Sequence, residues 1–177
     1  QAPPAEEVRR VLVEAGAVRF GEFILTSGRK SDVYIDVKKA WTEPARLDLI
    51  ARALAARVAP GEQGSPDGAR GRAARRRNVP AGRPADDRHP QGRRSTGLAN
   101  ASKERIPPGA RVLLIEDTAT TGGSLVQSIE ILRAAGALVD RALVVVDREE
   151  GARERLAELG VHLEALTTLS ELRGAPA

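Results

Sequence analysis

Arg111-Val-Leu-Leu-Ile-Glu-Asp-Thr-Ala-Thr-Thr-Gly-Gly-Ser124 runs an apolar strand into two adjacent acids, a Thr/Gly turn and the start of a helix. Each part suits a phosphorylated sugar. Gly122 and Gly123 let the backbone curl so that successive N–H groups converge on one anion, and the following helix adds its positive end. The Thr and Ser hydroxyls supply further donors. Glu116 and Asp117 are acceptor-only groups at the strand's carboxyl end, where open parallel sheets place their ligands, and they suit a sugar diol or its bound cation. A Walker loop is excluded because no lysine follows the glycines, and the Gly-x-Gly-x-x-Gly dinucleotide fingerprint is absent.

Working outward, strands and helices alternate. The helix after Ser124 carries Leu125, Ile129 and Leu132 and stops at Gly136. A buried strand is expected over Ala142–Asp147, a charged helix from Gly151 to Leu159, another strand around Val161–Leu169, and a short helical tail. Upstream, a helix starting near Pro4 presents Val8, Val11, Leu12 and Ala15 and stops at Gly16. Phe20 to Asp36 reads as two short strands around a polar turn, Thr26 to Ser31. Thr42-Glu-Pro-Ala opens a second helix with Leu47, Ile50, Leu54 and Val58 on its apolar face, ended by Pro60-Gly61. Alternation of this kind predicts an α/β fold with a doubly wound, mainly parallel sheet and a small N-terminal hood. At 177 residues, one domain is expected over 1–177: helix and hood in 1–40, and a phosphosugar-binding core in 106–172.

Composition narrows the class. With no cysteine there is neither a disulfide framework nor a thiolate metal site, and His89 and His162 are not paired as ligands. A Ser-His-Asp hydrolase is poorly supported. No apolar run reaches the roughly 20 residues that span a bilayer, and no basic-then-apolar signal segment is visible, so a cytoplasmic protein with no membrane partner is expected.

The net charge of +4 is uneven. Residues 62–105 hold ten Arg and one Lys against five acids, a local +6, leaving −2 for the rest. Across this window Val79 and Leu98 are the only large aliphatics, no period of 2 or 3.6 appears, and Arg, Gly, Ala and Pro dominate. The window reads as irregular or disordered, in the place where this fold should supply another strand, loop and helix. Three origins compete: a basic insertion that binds nucleic-acid phosphates, a disordered native loop, and translation of a GC-rich gene in a shifted frame. The third is preferred, because Ala, Gly, Arg and Pro are the residues of all-G/C codons and fold-like sequence resumes sharply on both sides. Nucleic acid is not an expected partner, since the window lacks aromatics that stack on bases.

The Glu116–Ser124 segment resembles the phosphoribosyl-diphosphate (PRPP) signature of type I phosphoribosyltransferases. Phe20-Gly-Glu-Phe-Ile-Leu-Thr-Ser-Gly-Arg-Lys-Ser-Asp-Val-Tyr, in turn, resembles the hood of orotate phosphoribosyltransferases, and Asp147-Arg-Glu-Glu-Gly resembles the same family's strand-end motif. The resemblance covers residues 8–60 and 106–172. It implies transfer of the phosphoribosyl group of PRPP to orotate, with Mg2+ carried through PRPP and no direct protein metal site, by a homodimer. PRPP would be held by Glu116, Asp117, Thr118, Ala119, Thr120, Thr121, Gly122, Gly123 and Ser124. Orotate would be held by Thr120 and Arg148, with Ser27, Lys30 and Tyr34 closing over it. The bland readings stay open beside these: Arg148 as a solvated helix start, Lys30 as surface charge, Tyr34 as core, and Ser27 as a turn former.

Departures are expected to matter. Thr26 stands where the family carries a basic residue. The family's diphosphate loop and mobile Arg-Lys-x-x-x-Lys-x-His-Gly loop should both fall inside 62–105, and neither is recognisable, so the catalytic residues are unassigned and weak or absent turnover is expected. The alternatives are a phosphoribosyltransferase for another base, a non-catalytic PRPP-binding regulator, and a flavodoxin-like module.

Overall fold

The computed structural model describes residues 2–24, 30–64 and 106–174. Of the residues named above, Ser27 and Thr26 lie outside them, as does nearly all of the basic window. The chain enters through α1 (Ala5–Glu14), whose first-turn acids Glu6 and Glu7 sit at its positive end. Val8, Val11 and Leu12 are its buried stripe. Gly16, at φ 63°, turns the chain into the hood hairpin β1 (Val18–Ile24) and β2 (Lys30–Ile35), which pair antiparallel.

A 3-10 helix, Val37–Thr42, follows, capped by the Asp36 carboxylate accepting from the Lys38 N–H. Sequence periodicity did not anticipate it, since one tight turn is too short to show a period. Pro44 then opens α2 (Pro44–Ala55), where its missing N–H costs nothing. The expected apolar face of α2 is corrected: Leu49, Ile50, Ala53 and Leu54 are buried, whereas Leu47 and Val58 are half-buried.

The main sheet has the order β3 (Gln63–Gly64), β4 (Arg111–Ala119), β5 (Leu138–Asp147) and β6 (His162–Thr168), all parallel. Helices α3 (Gly123–Ala134) and α4 (Ala152–Ala157) form the crossovers, and α5 (Leu169–Arg173) follows β6. Strand alternation divides the core. Leu113, Ile115, Leu143 and Val145 pack with α1, α2 and the hood, while Val112, Leu114, Ala142 and Val144 pack with α3 and α4. Covering both faces explains strands without polar alternation.

Two expectations change here. The window 62–105 does not start irregular, because Gln63 and Gly64 pair with Val112 and Leu113. At that end, Arg141 donates to both carboxylate oxygens of Glu62 at 2.8 Å and to Glu164 at 2.6 Å, tying the entry to β3 onto β5 and β6. The Glu164 hydrogen bond, joined by that of Glu62, raises the guanidinium's affinity for its proton still further. The second change is that β4 does not end at its acids. It continues through Thr118 and Ala119, which pair with Val146 and Asp147 of β5.

Candidate functional site

The carboxyl ends of β4 and β5 place the candidate residues. Glu116 and Asp117 are half-buried consecutive residues of β4, so their side chains leave opposite sides of the strand.

Beyond Ala119 the chain turns through exposed Thr120 and Thr121 to Gly122, which sits in left-handed backbone at φ 78° as the N-cap of α3. No side chain caps that helix. Its leading N–H groups, with the nearby hydroxyls of Thr120, Thr121 and Ser124, therefore form a donor-rich, positively polarised end suited to a phosphate. Gly122 is needed for a second reason. A Cβ there would lie 3.2 Å from the Ala152 Cα and 3.2 Å from the Leu156 Cδ1, so α4 packs directly on the turn. The Arg155 guanidinium stands 3.7 Å from where a Cβ on Gly123 would sit.

Arg148 follows β5 immediately, and its backbone N–H donates to the Ala119 carbonyl at 2.9 Å. This bond sets Arg148 beside the residue that precedes Thr120, so the two residues expected to share one ligand are neighbours across adjacent strand tips. The Arg148 side chain is largely buried rather than a solvated helix start. Its Nε lies 2.8 Å from Glu150 Oε1, an ion-pair separation, but at an angle that leaves the buried Nε donor without a hydrogen bond.

The residues flanking Arg148 were missed as site residues. Asp147 is fully buried, accepting from the Glu149 N–H at 2.9 Å and from Arg153 Nε at 2.6 Å. A carboxylate closing an otherwise apolar strand was the available signal, since such a group must find partners. Glu149 is the one described non-glycine residue with positive φ, at 59°. Its carboxylate accepts from both the N–H and the hydroxyl of Ser170 in α5. These bonds, the hydroxyl's first, hold its carboxyl below the usual carboxylate range.

On the hood, Lys30, Asp32 and Tyr34 share one face of β2, while Val33 on the other face is buried. Lys30 is exposed and Tyr34 is 36% exposed, so Tyr34 is not core. The Tyr34 ring lies 5.8 Å from that of Phe23 and has the Lys39 ammonium 5.6 Å above it. Asp32 links the hood to α5, accepting from Arg173 at 2.6 Å. Its carboxyl is held below the usual range by that hydrogen bond foremost, with a further contribution from the charge of Arg148.

Among the described residues, no three His, Cys, Asp or Glu side chains converge as a metal cage. Glu116 and Asp117 are hard oxygen donors of the kind Mg2+ accepts when most of its shell comes from phosphate and water, so the residues present fit that ion. A cavity of about 560 Å³ between the start of α1 and the later part of α5 is lined by charges of both signs, including Glu6, Arg9, Arg10 and Glu171, and touches none of the candidate residues. Among the described residues, no helix is long and apolar enough to cross a membrane.

The chain is similar to known proteins in sequence and in fold. The phosphoribosyl transferase domain family model matches residues 73–160. The orotate phosphoribosyltransferase of Methanopyrus kandleri is 39% identical over 171 residues, spanning 96% of this chain and 92% of that protein. The crystal structure of orotate phosphoribosyltransferase from Aeropyrum pernix superposes with a TM-score of 0.65 at 32% identity, covering 94% of this chain and 97% of that one. The Mycobacterium tuberculosis enzyme in complex with PRPP gives 0.65 at 26% identity, covering 97% and 99%. The first alignment spans too much of the chain to leave out the basic window, although the family's loop motifs are not legible there.

Proposed function

Because the chain belongs to the orotate phosphoribosyltransferase family, we propose that it transfers the 5-phosphoribosyl group of PRPP to orotate, giving orotidine 5′-monophosphate and diphosphate in pyrimidine synthesis. The observation that carries the assignment of residues is the hydrogen bond from the Arg148 N–H to the Ala119 carbonyl, which sets an arginine beside the Thr/Gly turn. In this reading Thr118 to Ser124 hold the 5′-phosphate through backbone N–H and hydroxyl donors. Glu116 and Asp117 hold the ribose hydroxyls and stabilise positive charge developing at the anomeric carbon. Arg148 donates to the orotate carboxylate, and Thr120 hydrogen-bonds the base from the turn. Lys30 and Tyr34 close over it from the hood with Ser27. When bound with PRPP, Mg2+ supplies neutralisation of the departing diphosphate. A cytoplasmic homodimer belongs to the same reading.

The window 62–105 enters the proposal as a shifted-frame product. Fold-like sequence continues into it as far as Gly64, where β3 pairs with β4. A chain without the diphosphate and mobile loops keeps half of the site and turns over very slowly. Orotate-dependent diphosphate release by this polypeptide is the test, combined with equilibrium binding of orotidine 5′-monophosphate. Binding with little turnover is expected. Turnover near that of intact family members refutes the frame-shift reading, and no binding refutes the substrate assignment. The nucleotide sequence across the window decides the frame directly: an alternative frame must encode an apolar strand after Gly64.

A further inference from the structure

Glu149 occupies backbone that an L-residue adopts at a cost, at φ 59°. Glycine, asparagine or aspartate would sit there more easily. A glutamate in that place must return something through its side chain, and its carboxylate is committed to the Ser170 N–H and hydroxyl at the start of α5. From the other side, the Glu149 N–H is held by buried Asp147, itself fixed by Arg153. The turn is thus pinned to the core through Asp147 and to α5 through Glu149.

Between the two pins lies Arg148. The left-handed step at Glu149 folds the chain back so that Glu150 comes within 2.8 Å of Arg148 Nε on the inner side of the guanidinium. Among the described residues, none accepts a hydrogen bond from its terminal amino groups. We propose that Glu149 is a positioning residue for orotate: its tie to Ser170 fixes the left-handed turn and so the direction in which Arg148 presents its guanidinium. This rests on the reading of Arg148 as the orotate-binding arginine. A planar carboxylate is recognised by two parallel N–H donors, and that geometry tolerates little drift of the fork. Anchored at its carboxylate, Glu149 keeps the fork in register. Ser170, on an element the sequence motif does not include, takes part in substrate specificity through it.

The test compares Glu149→Gly and Glu149→Gln in the full chain. Glycine relieves the backbone and removes the anchor, whereas glutamine keeps the length and one acceptor oxygen. Titration with orotidine 5′-monophosphate reads the orotate side together with the phosphate turn and the ribose acids, and ribose 5-phosphate reads the turn and the acids without the base. Glu149→Gly is expected to weaken orotidine 5′-monophosphate about tenfold, as the Arg148 fork loses its register on the carboxylate, with ribose 5-phosphate affinity unchanged. Glu149→Gln should recover most of the affinity, and Ser170→Ala should cost about threefold by removing one of the two donors. Equal orotidine 5′-monophosphate affinity in Glu149→Gly and wild type overturns the proposal, as does parallel loss of both ligands. If the wild type binds the two ligands equally, the orotate reading itself fails and takes the proposal with it.

Discussion

Replacing Gly122 by alanine tests how the phosphate turn is built. Two costs add. The residue sits at φ 78°, where an L-side chain costs about 1–2 kcal/mol. The new methyl would also lie 3.2 Å from the Ala152 Cα and 3.3 Å from the Ala152 Cβ, against backbone that cannot swing aside like a side-chain tip. Overpacking of this kind costs about 1–3 kcal/mol. The total, about 2–5 kcal/mol, corresponds to a fall in Tm of roughly 5–15 °C at the sensitivity of a domain this size. Gly160 supplies the control, because it has φ 67° but a methyl added there would meet nothing within 4 Å. Gly160→Ala should therefore carry the backbone cost alone, about 1–2 kcal/mol. Thermal melts followed by circular dichroism give both numbers, and ribose 5-phosphate titration adds a functional readout, since relief of the clash lifts α4 off the turn. Equal Tm losses for the two variants would refute the claim that α4 packing, and not only φ, demands glycine at 122.

Three further outcomes are expected. Arg148→Ala should weaken orotidine 5′-monophosphate by about 10- to 100-fold through loss of a charge-assisted pair, while ribose 5-phosphate binding is retained; loss of both would place Arg148 in the fold rather than at the base. Arg141→Ala strands the Glu62 carboxylate, only 7% exposed, and should cost about 2–3 kcal/mol in urea unfolding. A loss below about 0.5 kcal/mol would mark that network as an ordinary surface pair. Asp32, whose carboxyl is lowered by Arg173, contributes stability that is present above its unfolded value of about 3.9 and is lost as pH falls through the lower folded value. The Tm difference between wild type and Asp32→Asn should accordingly shrink as the solution is acidified below that range, and a pH-independent difference would count against the latch between hood and α5.

Much of the fold was legible because its signals are local. Leu125, Ile129 and Leu132 recur at helical spacing and all three are buried. Gly16, Gly136 and Gly160 end their helices with positive φ, as glycine after a periodic run leads one to expect. The extent of β4 was not legible. Glu116, Asp117 and Ala119 are of types depleted in strands, and only pairing with β5 carries the strand on to Ala119. The face of α2 was read correctly at Ile50 and Leu54 but not at Leu47, because Leu47 and Leu49 are both apolar and packing against the core selects Leu49. Tyr34 could not be placed at all from an aromatic in a short strand, and its exposure follows from which face of β2 meets the core.

The sequence by itself determined the alternation of strands and helices outside the basic window, the Thr/Gly turn with its acids, and the family, because periodicity, glycine placement and motif spacing are properties of neighbours along the chain. Tertiary structure alone decided that Arg148 stands beside Ala119, that Gly122 carries α4, that Asp147 is buried and that Ser170 holds Glu149. Those partners are brought together by two crossover connections and a shared sheet. Which donor meets which carboxylate depends on strand register and helix packing, and neither is encoded at the spacing of a motif.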